Sequence, residues 1–224
     1  MFLALREMRR AKVRFALLIS AIGLLVLLIL AQQAIQNGPI TSFVGAIERQ
    51  SAPVLVYSVD GQRTLQGSII TPPLEKTIDS VDGVAKTGRI GQGTFTVRLN
   101  DSTEDSDAAV IGYSDPDLGA PDSLSAGQLP AAPGEAVGSA TDFKVGDRVK
   151  ILGSGTSNAS AEVLTVVGLA EDAQLQVTPT MFVRWADYVA TVEAANPDAR
   201  GVLPSAIGVA PVSGLSPDAL AGRI

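Results

Sequence analysis

The stretch FALLISAIGLLVLLILA, from Phe15 to Ala31, decides how this 224-residue chain is organised. It carries no charge and a single polar side chain, Ser20. A helix crosses the hydrocarbon core of a bilayer with about 20 residues, so the stretch and its flanks just reach the necessary length. It therefore predicts one transmembrane helix over residues 15–36, with the rest of the chain on one side of a membrane.

The charges on the two sides of this stretch are unequal. A single acid, Glu7, accompanies five basic residues before it, and the next charge after it is Glu48. The basic residues are Arg6, Arg9, Arg10, Lys12 and Arg14. Because positively charged flanks stay in the cytoplasm, residues 1–14 are expected there and the main domain outside the cell membrane. The basic segment can also lie along anionic head groups, which makes membrane lipid an expected partner.

A cleaved secretory signal is the alternative interpretation of the N-terminus. Such a signal also has a basic start, but its apolar region usually spans about 7–15 residues and ends at a small-x-small cleavage site. Here the apolar region is longer, and Ile29-Leu30-Ala31 is a poor cleavage site. We therefore favour a retained anchor, followed by a stalk over residues 37–53.

Two residue types that the chain lacks narrow its function. It contains no Cys and no His, which excludes disulfides, thiolate chemistry, His-based triads and the usual zinc sites. Outside residues 1–14, 12 basic and 22 acidic residues remain, so nucleic acid is not an expected partner. No catalytic, cofactor-binding or metal-ligating residue can be assigned. We therefore expect that the protein is not an enzyme and that it binds no cofactor.

Residues 54–100 have the pattern of strand, helix and strand. The β-branched run Val54–Val59 predicts the first strand, and Gln66–Ile70 could pair with it in a hairpin. Thr71-Pro72-Pro73 is typical of a helix start, with a hydroxyl cap and prolines in the first turn. Val84–Leu99 follows as further strand material.

Residues 101–200 change to short strands at close spacing, which predicts a mainly-β unit. A helical stretch is expected near 181–195. The predicted strands are Ala108–Tyr113, Glu135–Gly138, Arg148–Leu152 and Glu162–Gly168.

Residues 201–224 begin a strand and a helix again. Ala206–Val212 reads as a strand, and Ser216-Pro217-Asp218 as a capped helix start that the sequence follows for about two turns. The sequence therefore predicts an α+β fold with a split ferredoxin-like βαβ subdomain. Its first half is 54–100, its second half 201–224 is incomplete, and the mainly-β unit is inserted between them.

Three short motifs in this order carry a resemblance to a known family. They are Gly127–Glu135 (GQLPAAPGE), Val145-Gly146-Asp147 and Val166-Val167-Gly168, and they follow the basic start Leu5–Phe15. With them the chain resembles the N-terminal part of a MacB-like or FtsX-like ABC transporter permease, including its extracytoplasmic (periplasmic) core domain. The resemblance covers essentially the whole chain.

The resemblance implies a bacterial transport protein whose work is mechanical. A cytoplasmic ABC ATPase would hydrolyse ATP, membrane helices would move, and the outer domain would follow. A dimer of permeases and an extracytoplasmic adaptor or cargo are the other implied partners. Family permeases have three further spans after this domain, so we expect the chain to be a fragment of a longer permease; a truncated gene product is the alternative.

Other functions stay open at this point. A single-anchor binding or adaptor protein would share the topology, and an FtsX-type regulator of a cell-wall hydrolase would share the architecture. A membrane-anchored hydrolase that uses carboxylates is disfavoured, because no paired-acid motif stands out.

Several local motifs have a structural interpretation that we prefer to a functional one. Gly88–Gly93 (GRIGQG) indicates a strand bend, and the acids Asp101, Glu104, Asp105 and Asp107 indicate a solvated loop instead of a calcium site. Asp115-Pro116-Asp117 reads as a turn, Gly134-Glu135 as a turn and strand entry, and Trp185 with Tyr188 as a core-facing pair.

Overall fold

The computed structural model describes residues 12–37, 50–59, 65, 67–153, 162–175, 177–196, 198–199 and 201–224. The chain divides into two compact units, Met1–Thr41 and Ser42–Ile224. Most of the predicted segment 1–14, most of the stalk 37–53 and the middle of the predicted hairpin lie outside the described residues.

The first unit contains one described helix, α1, Lys12–Asn37. It spans the range over which the sequence predicts a helix. Its large apolar side chains between Leu17 and Ile29 are exposed, with accessible fractions of 48–66%. Within the part of the chain that is described, no helix meets both the length and the apolarity that crossing a membrane requires. The transmembrane assignment therefore stays a prediction.

The second unit is a mixed α+β domain of nine strands and three short helices among the described residues. The strands are β1 (Val54–Val56), β2 (Val84–Leu99), β3 (Ser106–Tyr113), β4 (Ala126–Gly127), β5 (Glu135–Ser139), β6 (Arg148–Ile151), β7 (Val163–Ala170), β8 (Thr180–Arg184) and β9 (Ala206–Pro211). The helices are α2 (Pro72–Asp79), α3 (Trp185–Ala195) and α4 (Pro217–Ala221), with a 3-10 turn at Pro116–Leu118. The predicted α+β class is confirmed.

One end of the sheet is an open three-stranded layer in the order β1-β9-β2. β9 is antiparallel to both neighbours, so β1 and β2 run parallel and α2 connects them. The helices α2 and α4 cover one face of this layer, where Ile78 of α2 and Leu220 of α4 pack with Ile207 and Val209 of β9. Leu74 and Ile78 on α2, together with Val81 just after the helix, supply the apolar face that this packing buries.

Six of the remaining pairings close a ring of six strands, and the seventh attaches β4 to β7 outside that ring. β2 pairs with β3, β3 with β8, β8 with β5, β5 with β7, β7 with β6, and β6 again with β2. Each of the six contributes buried side chains to one cluster, among them Val97, Val110, Ala136, Val149, Leu164 and Met181. Because side chains alternate along a strand, these residues form the interior of the ring.

The 16-residue strand β2 belongs to both parts. Its first half pairs with β9 from Val84 to Ile90, and its last three residues pair with β6. The boundary that the sequence places at residue 100 thus falls at the end of a strand that the two parts share. A long strand held on both edges joins the open layer and the ring into one continuous sheet.

Three local predictions were wrong. Residues 67–70 form no strand; instead the Ile70 N–H donates to Pro204 O at 2.8 Å and Ser68 Oγ accepts from the Ser58 N–H at 2.8 Å. Residues 181–184 are strand, because they pair with β3 and β5, and the helix begins only at Trp185. Thr71 precedes α2 without a capping side-chain hydrogen bond.

Candidate functional site

The three motifs that carry the resemblance meet on strand β7. Gly127 pairs with Gly168, and the Gln128 N–H donates to Val167 O at 3.1 Å. The Thr165 N–H donates to Gly134 O at 2.7 Å. From the other side, the Gly146 N–H donates to Val166 O and the Val166 N–H to Asp147 O, both at 2.8 Å. Motifs up to 41 positions apart in the sequence therefore build one part of the ring.

The turn before β5 is held by the side chain of Glu135. One carboxylate oxygen, Oε2, accepts hydrogen bonds from the backbone N–H groups of Ala132 and Ala131, both at 2.8 Å. These donors hold the pKa of the Glu135 carboxyl below its usual range. Gly134 has a φ of 75°, in the left-handed region that favours glycine. The interpretation of Gly134-Glu135 as a turn and strand entry is confirmed.

Asp187, in the first turn of α3, fastens the turn before β5 to the helix. Its Oδ1 accepts from the Gly134 N–H at 3.0 Å, and its Oδ2 accepts from Arg184 Nε at 2.9 Å. The Arg184 side chain also donates to Ala131 O at 3.2 Å. The Asp187 side chain is only 6% exposed, so its charge needs these partners. Sequence reasoning did not single out Arg184 or Asp187, although an acid in an otherwise apolar helix start was an available signal.

Glu162 completes this group of charges beside β7. Burial, and then the negative charge of Asp187, raises the pKa of the Glu162 carboxyl. The group thus contains three carboxylates and one guanidinium: Glu135, Glu162, Asp187 and Arg184. The Glu135 carboxylate accepts hydrogen bonds from backbone N–H groups, and the Asp187 carboxylate accepts them from the Gly134 N–H and from Arg184. Such bonds are typical of side chains that hold loops in place.

A second fastening surrounds the Val145-Gly146-Asp147 turn. Asp147 Oδ2 accepts from the Lys144 N–H at 2.8 Å, and its Oδ1 accepts from Asn100 Nδ2 at 3.0 Å. Asn100 in turn accepts from the Arg148 N–H at 2.8 Å. Gly146 has a φ of 95°, which again favours glycine. The end of β2 and the start of β6 are thereby joined.

The glycine-rich run Gly88–Gly93 makes room for neighbouring side chains. Gly91 pairs with Gly112 of β3, and a Cβ at either position would overlap the ring of Tyr188. Gly88 pairs with Gly208 of β9, where a Cβ would meet the 3-10 turn at Leu118. β2 passes through this run as a continuous strand, so the run belongs to a strand, as the preferred interpretation expects; the glycines admit an aromatic ring and a turn.

Acidic side chains of the loop after β2 and of the turn at Asp115 make hydrogen bonds or ion pairs with nearby residues. Asp105 pairs with Arg98 at 2.6 Å, and Asp107 accepts from Thr96 Oγ1 at 3.3 Å. Among the described residues, no group of three or more Asp, Glu, His or Cys could hold a metal ion. Asp115 accepts from the Asp117 N–H at 2.9 Å, as expected of a turn.

The aromatic pair on α3 faces the core, as the sequence predicts. Tyr188 is 5% exposed and packs with the buried cluster of the six-stranded ring. The centres of the Trp185 and Tyr188 aromatic side chains lie 5.5 Å apart. Burial raises the pKa values of Tyr188 and Tyr113 to about 12, so both phenols stay protonated at neutral pH. Neither tyrosine can act as a base there.

An open groove of 660 Å³ lies along β1. It is lined by residues Val54 to Val59, together with Ala221 and Ile224 at the end of α4. Every lining residue is uncharged. The groove can therefore accept an apolar or backbone-rich ligand, and the polar side chains in its lining are those of Tyr57 and Ser58.

Comparisons with known proteins give structural neighbours only. No family model matches the chain, and no curated protein does. The extracellular domain of the noncanonic ABC-type transporter YknZ from Gram-positive bacteria is 14% identical, with 71% of this chain and 83% of that one covered and a TM-score of 0.45. The periplasmic region of MacB from Actinobacillus actinomycetemcomitans is 11% identical, with coverages of 76% and 79% and a TM-score of 0.48.

A domain of a candidate permease protein from Porphyromonas gingivalis is 19% identical, with coverages of 65% and 70% and a TM-score of 0.42. The MacB-like resemblance stated from the sequence is thus matched by structure neighbours of that type. All three TM-scores lie below 0.5 and all three identities below 20%, so the likeness is a weak one.

Proposed function

We propose that this chain is the N-terminal part of the permease subunit of a MacB/FtsX-type ABC transporter. In this proposal it is not itself an enzyme; a cytoplasmic ATPase partner hydrolyses ATP, and the permease passes the resulting movement to its extracytoplasmic domain. Export of a cargo and control of an extracytoplasmic partner are both compatible with this mechanism. The basic, apolar N-terminus and the joined motifs on β7 support the proposal.

The observation that carries the proposal is the pairing of the first strand with the last one. β1 and β9 are antiparallel, with Val54 opposite Val209 and Val56 opposite Ile207. The chain thus enters the domain beside the point at which β9 ends. We infer from this neighbourhood that the domain can be inserted between membrane segments and pulled or released from the end at which β1 begins.

The continuous sheet gives such a movement a path into the domain. Force applied at β1 and β9 reaches β2 through paired strands, and β2 continues into the ring. The fastenings at Asp187 and Asp147 hold the loops of the ring to its strands. We therefore infer that the ring moves as a unit, with binding surfaces and no titrating residue responsible for function.

The finer assignments belong to the same proposal. Residues 15–36 form a retained transmembrane helix with the N-terminus in the cytoplasm, and 37–53 form the stalk. Residues 54–100 and 201–224 form the split ferredoxin-like subdomain, and 101–200 form the inserted mainly-β subdomain. Two permeases form a dimer in the cell membrane, in contact with lipid and with an adaptor or cargo outside.

The test is a pull-down of the tagged protein from native membranes in mild detergent, read by mass spectrometry. The proposal expects an ATPase subunit among the partners and a bait mass well above 23.1 kDa. A 23.1 kDa bait without an ATPase would contradict it and favour a single-anchor binding protein. An ATPase together with a cell-wall hydrolase would select the regulator over the exporter.

A further inference from the structure

The residues just before β1 are bound to the 3-10 turn at Pro116–Leu118. The Ser51 hydroxyl donates to Pro116 O at 2.7 Å and accepts from the Gly119 N–H at 3.1 Å. The Ser51 N–H donates to Ala120 O at 2.9 Å. One serine thus makes three hydrogen bonds to residues that lie at least 65 positions away in the sequence.

The contact continues on both sides of this serine. Gln50 forms an antiparallel bridge with Pro121. Leu118, in the middle of the contact, is only 1% exposed, so the turn is anchored in the domain by burial as well as by hydrogen bonds. We call residues 50–52 and 116–121 together the clasp.

The clasp lies on the face of the open layer that α2 and α4 do not cover. Ile207 and Val209 of β9 face these helices, so Gly208 between them faces the other way. A Cβ on Gly208 would overlap with Leu118 O and would lie 3.0 Å from the Ala52 Cβ. The glycine therefore lets both parts of the clasp lie directly on β9.

Charged and polar groups bind the turn to β2 as well. Lys86 Nζ of β2 lies 2.7 Å from Asp115 Oδ2 and 3.0 Å from Asp117 Oδ2. Next to this pair, the Arg89 N–H donates to Ser114 Oγ at 2.8 Å, and the Ser114 N–H donates to Arg89 O at 3.0 Å. The turn is thus bound to the segment before β1 and also to the first half of β2.

We propose that the clasp is a coupling device that carries a displacement of the chain ahead of Gln50 into β2, through the 3-10 turn and Lys86. This route runs beside the pairing of β1 with β9 and reaches β2 without either strand. The coupling rests on the contacts of the clasp, whereas its part in moving the domain rests on the proposed function. The pull-down decides that function, and hydrogen exchange of the chain itself decides the coupling.

The experiment measures hydrogen–deuterium exchange of the full chain in detergent over residues 50–53 and 115–121, with β3 as an internal reference. Ser51→Ala removes both hydroxyl contacts and should speed exchange of both segments about tenfold. Ser51→Thr keeps a hydroxyl and should restore most of the protection. Ser123→Ala is the matched control, because the Ser123 hydroxyl donates to the neighbouring Asp122 at 2.9 Å. It should change neither segment.

Lys86→Ala separates coupling from a merely local contact. Lys86 binds the turn through Asp115 and Asp117, so its loss should reach residues 50–53 through the turn. Exchange of residues 50–53 should become about threefold faster, the size expected from loss of a partly exposed ion pair. Lys76→Ala, at an exposed lysine of α2, should leave this exchange unchanged.

Two results would overturn the proposal. In the first, Ser51→Ala leaves the exchange of either segment as slow as Ser123→Ala does. In the second, Lys86→Ala speeds exchange of residues 115–121 or of neither segment, while residues 50–53 exchange as in the Lys76→Ala variant. If β3 also loses protection in Ser51→Ala, that variant has lost its fold as a whole, and Lys86→Ala decides the coupling by itself.

Discussion

At the scale of single residues, Gly91 and Gly112 show how a short sequence motif serves packing. They lie opposite each other on β2 and β3, and the ring of Tyr188 lies against both. A glycine-rich run can look like a phosphate-binding loop, yet here it creates a flat patch on a strand pair. The physical requirement is the absence of a Cβ, since any larger residue would displace the ring.

Gly112→Ala should lower the free energy of unfolding by about 1–3 kcal/mol, because the added methyl group overpacks a buried ring. The change in Trp185 fluorescence, the chain's only tryptophan signal, can follow urea unfolding. Gly222→Ala is the control, since its Cβ would meet atoms at 3.7 Å or more. Tyr188→Leu should relieve much of the cost of Gly112→Ala; strictly additive effects would contradict the contact.

The turn before β5 depends on the side chain of Asp187. Asp187→Ala leaves the Gly134 N–H and Arg184 Nε without the acceptor they have in the original chain. We expect a loss of about 2 kcal/mol in the free energy of unfolding. The exposed Glu104→Ala should change it by less than about 0.5 kcal/mol. Equal effects of the two substitutions, measured by urea unfolding, would show that the fastening contributes nothing.

Glu162 and Glu135 should give opposite changes of stability with pH. The folded pKa of Glu162 is raised, so its ionisation costs stability as the pH rises through the interval above its ordinary value of 4.5. Glu162→Gln should therefore stabilise the protein at pH 7, by roughly 0.5 kcal/mol because the group is only partly buried. At pH 4 the variant and the original chain should have similar stability.

The folded pKa of Glu135 is lowered instead, so its contribution is present above pH 4.5 and is lost as the pH falls through the folded pKa. Glu135→Gln should destabilise the protein at pH 7 and approach the original chain in acid. Urea unfolding between pH 3 and pH 7 measures both variants, and slopes of the same sign would contradict the two assignments.

At the scale of elements, α4 shows how a helix of five residues is held in place. A helix of that length is not stable by itself, and Ser216 satisfies only one of its free N–H groups, that of Ala219, at 3.2 Å. Its attachment comes from Leu220, which is fully buried between α2 and β9. Tertiary burial therefore decides whether this element exists.

Leu220→Ala should cost about 2–4 kcal/mol of unfolding free energy, because it removes a fully buried side chain and leaves a cavity. Ser216→Ala should cost about 1 kcal/mol through the lost cap. Ile224→Ala, at a residue that is 41% exposed, is the matched control and should cost less than either. A cost for Leu220→Ala no larger than that of the control would show that α4 does not dock on the sheet.

At the scale of the whole molecule, the described residues form three buried clusters, and strand β2 contributes to each of them. The open layer is buried under α2 and α4, the ring is filled by its own strands, and β2 belongs to both. A shared strand couples the two parts mechanically in a way that a flexible linker would not. This is the property that a domain moved from its connected end requires.

The proposed membrane topology has a direct test, because the chain has no native cysteine. Ser102→Cys, in the exposed loop after β2, should react with a membrane-impermeant maleimide in intact cells. Ala4→Cys should react only after the cells are permeabilised. The reverse pattern, or equal labelling of both, would contradict an N-terminus in the cytoplasm and a domain outside.

The sequence alone determined most of the elements and the class of this protein. Apolar runs, prolines and capping residues act over a few positions, so α1, α2, α4 and strands such as β3 and β5 could be predicted from local pattern. The α+β class followed from their order. The conformations of residues 181–184 and 67–70 were predicted wrongly, because partners distant in the sequence decide them. For residues 181–184 these partners are β3 and β5, and for residues 67–70 the partner is Pro204.

Only the tertiary structure decided how those elements meet. The closing of the ring by β6, the meeting of three motifs on β7 and the fastening of Gly134 by Asp187 all join residues far apart in the chain. The position of β9 between β1 and β2 likewise becomes visible only in the strand order. The physical reason is that local pattern fixes which face of a strand is apolar, whereas pairing partners are chosen by packing of the whole core.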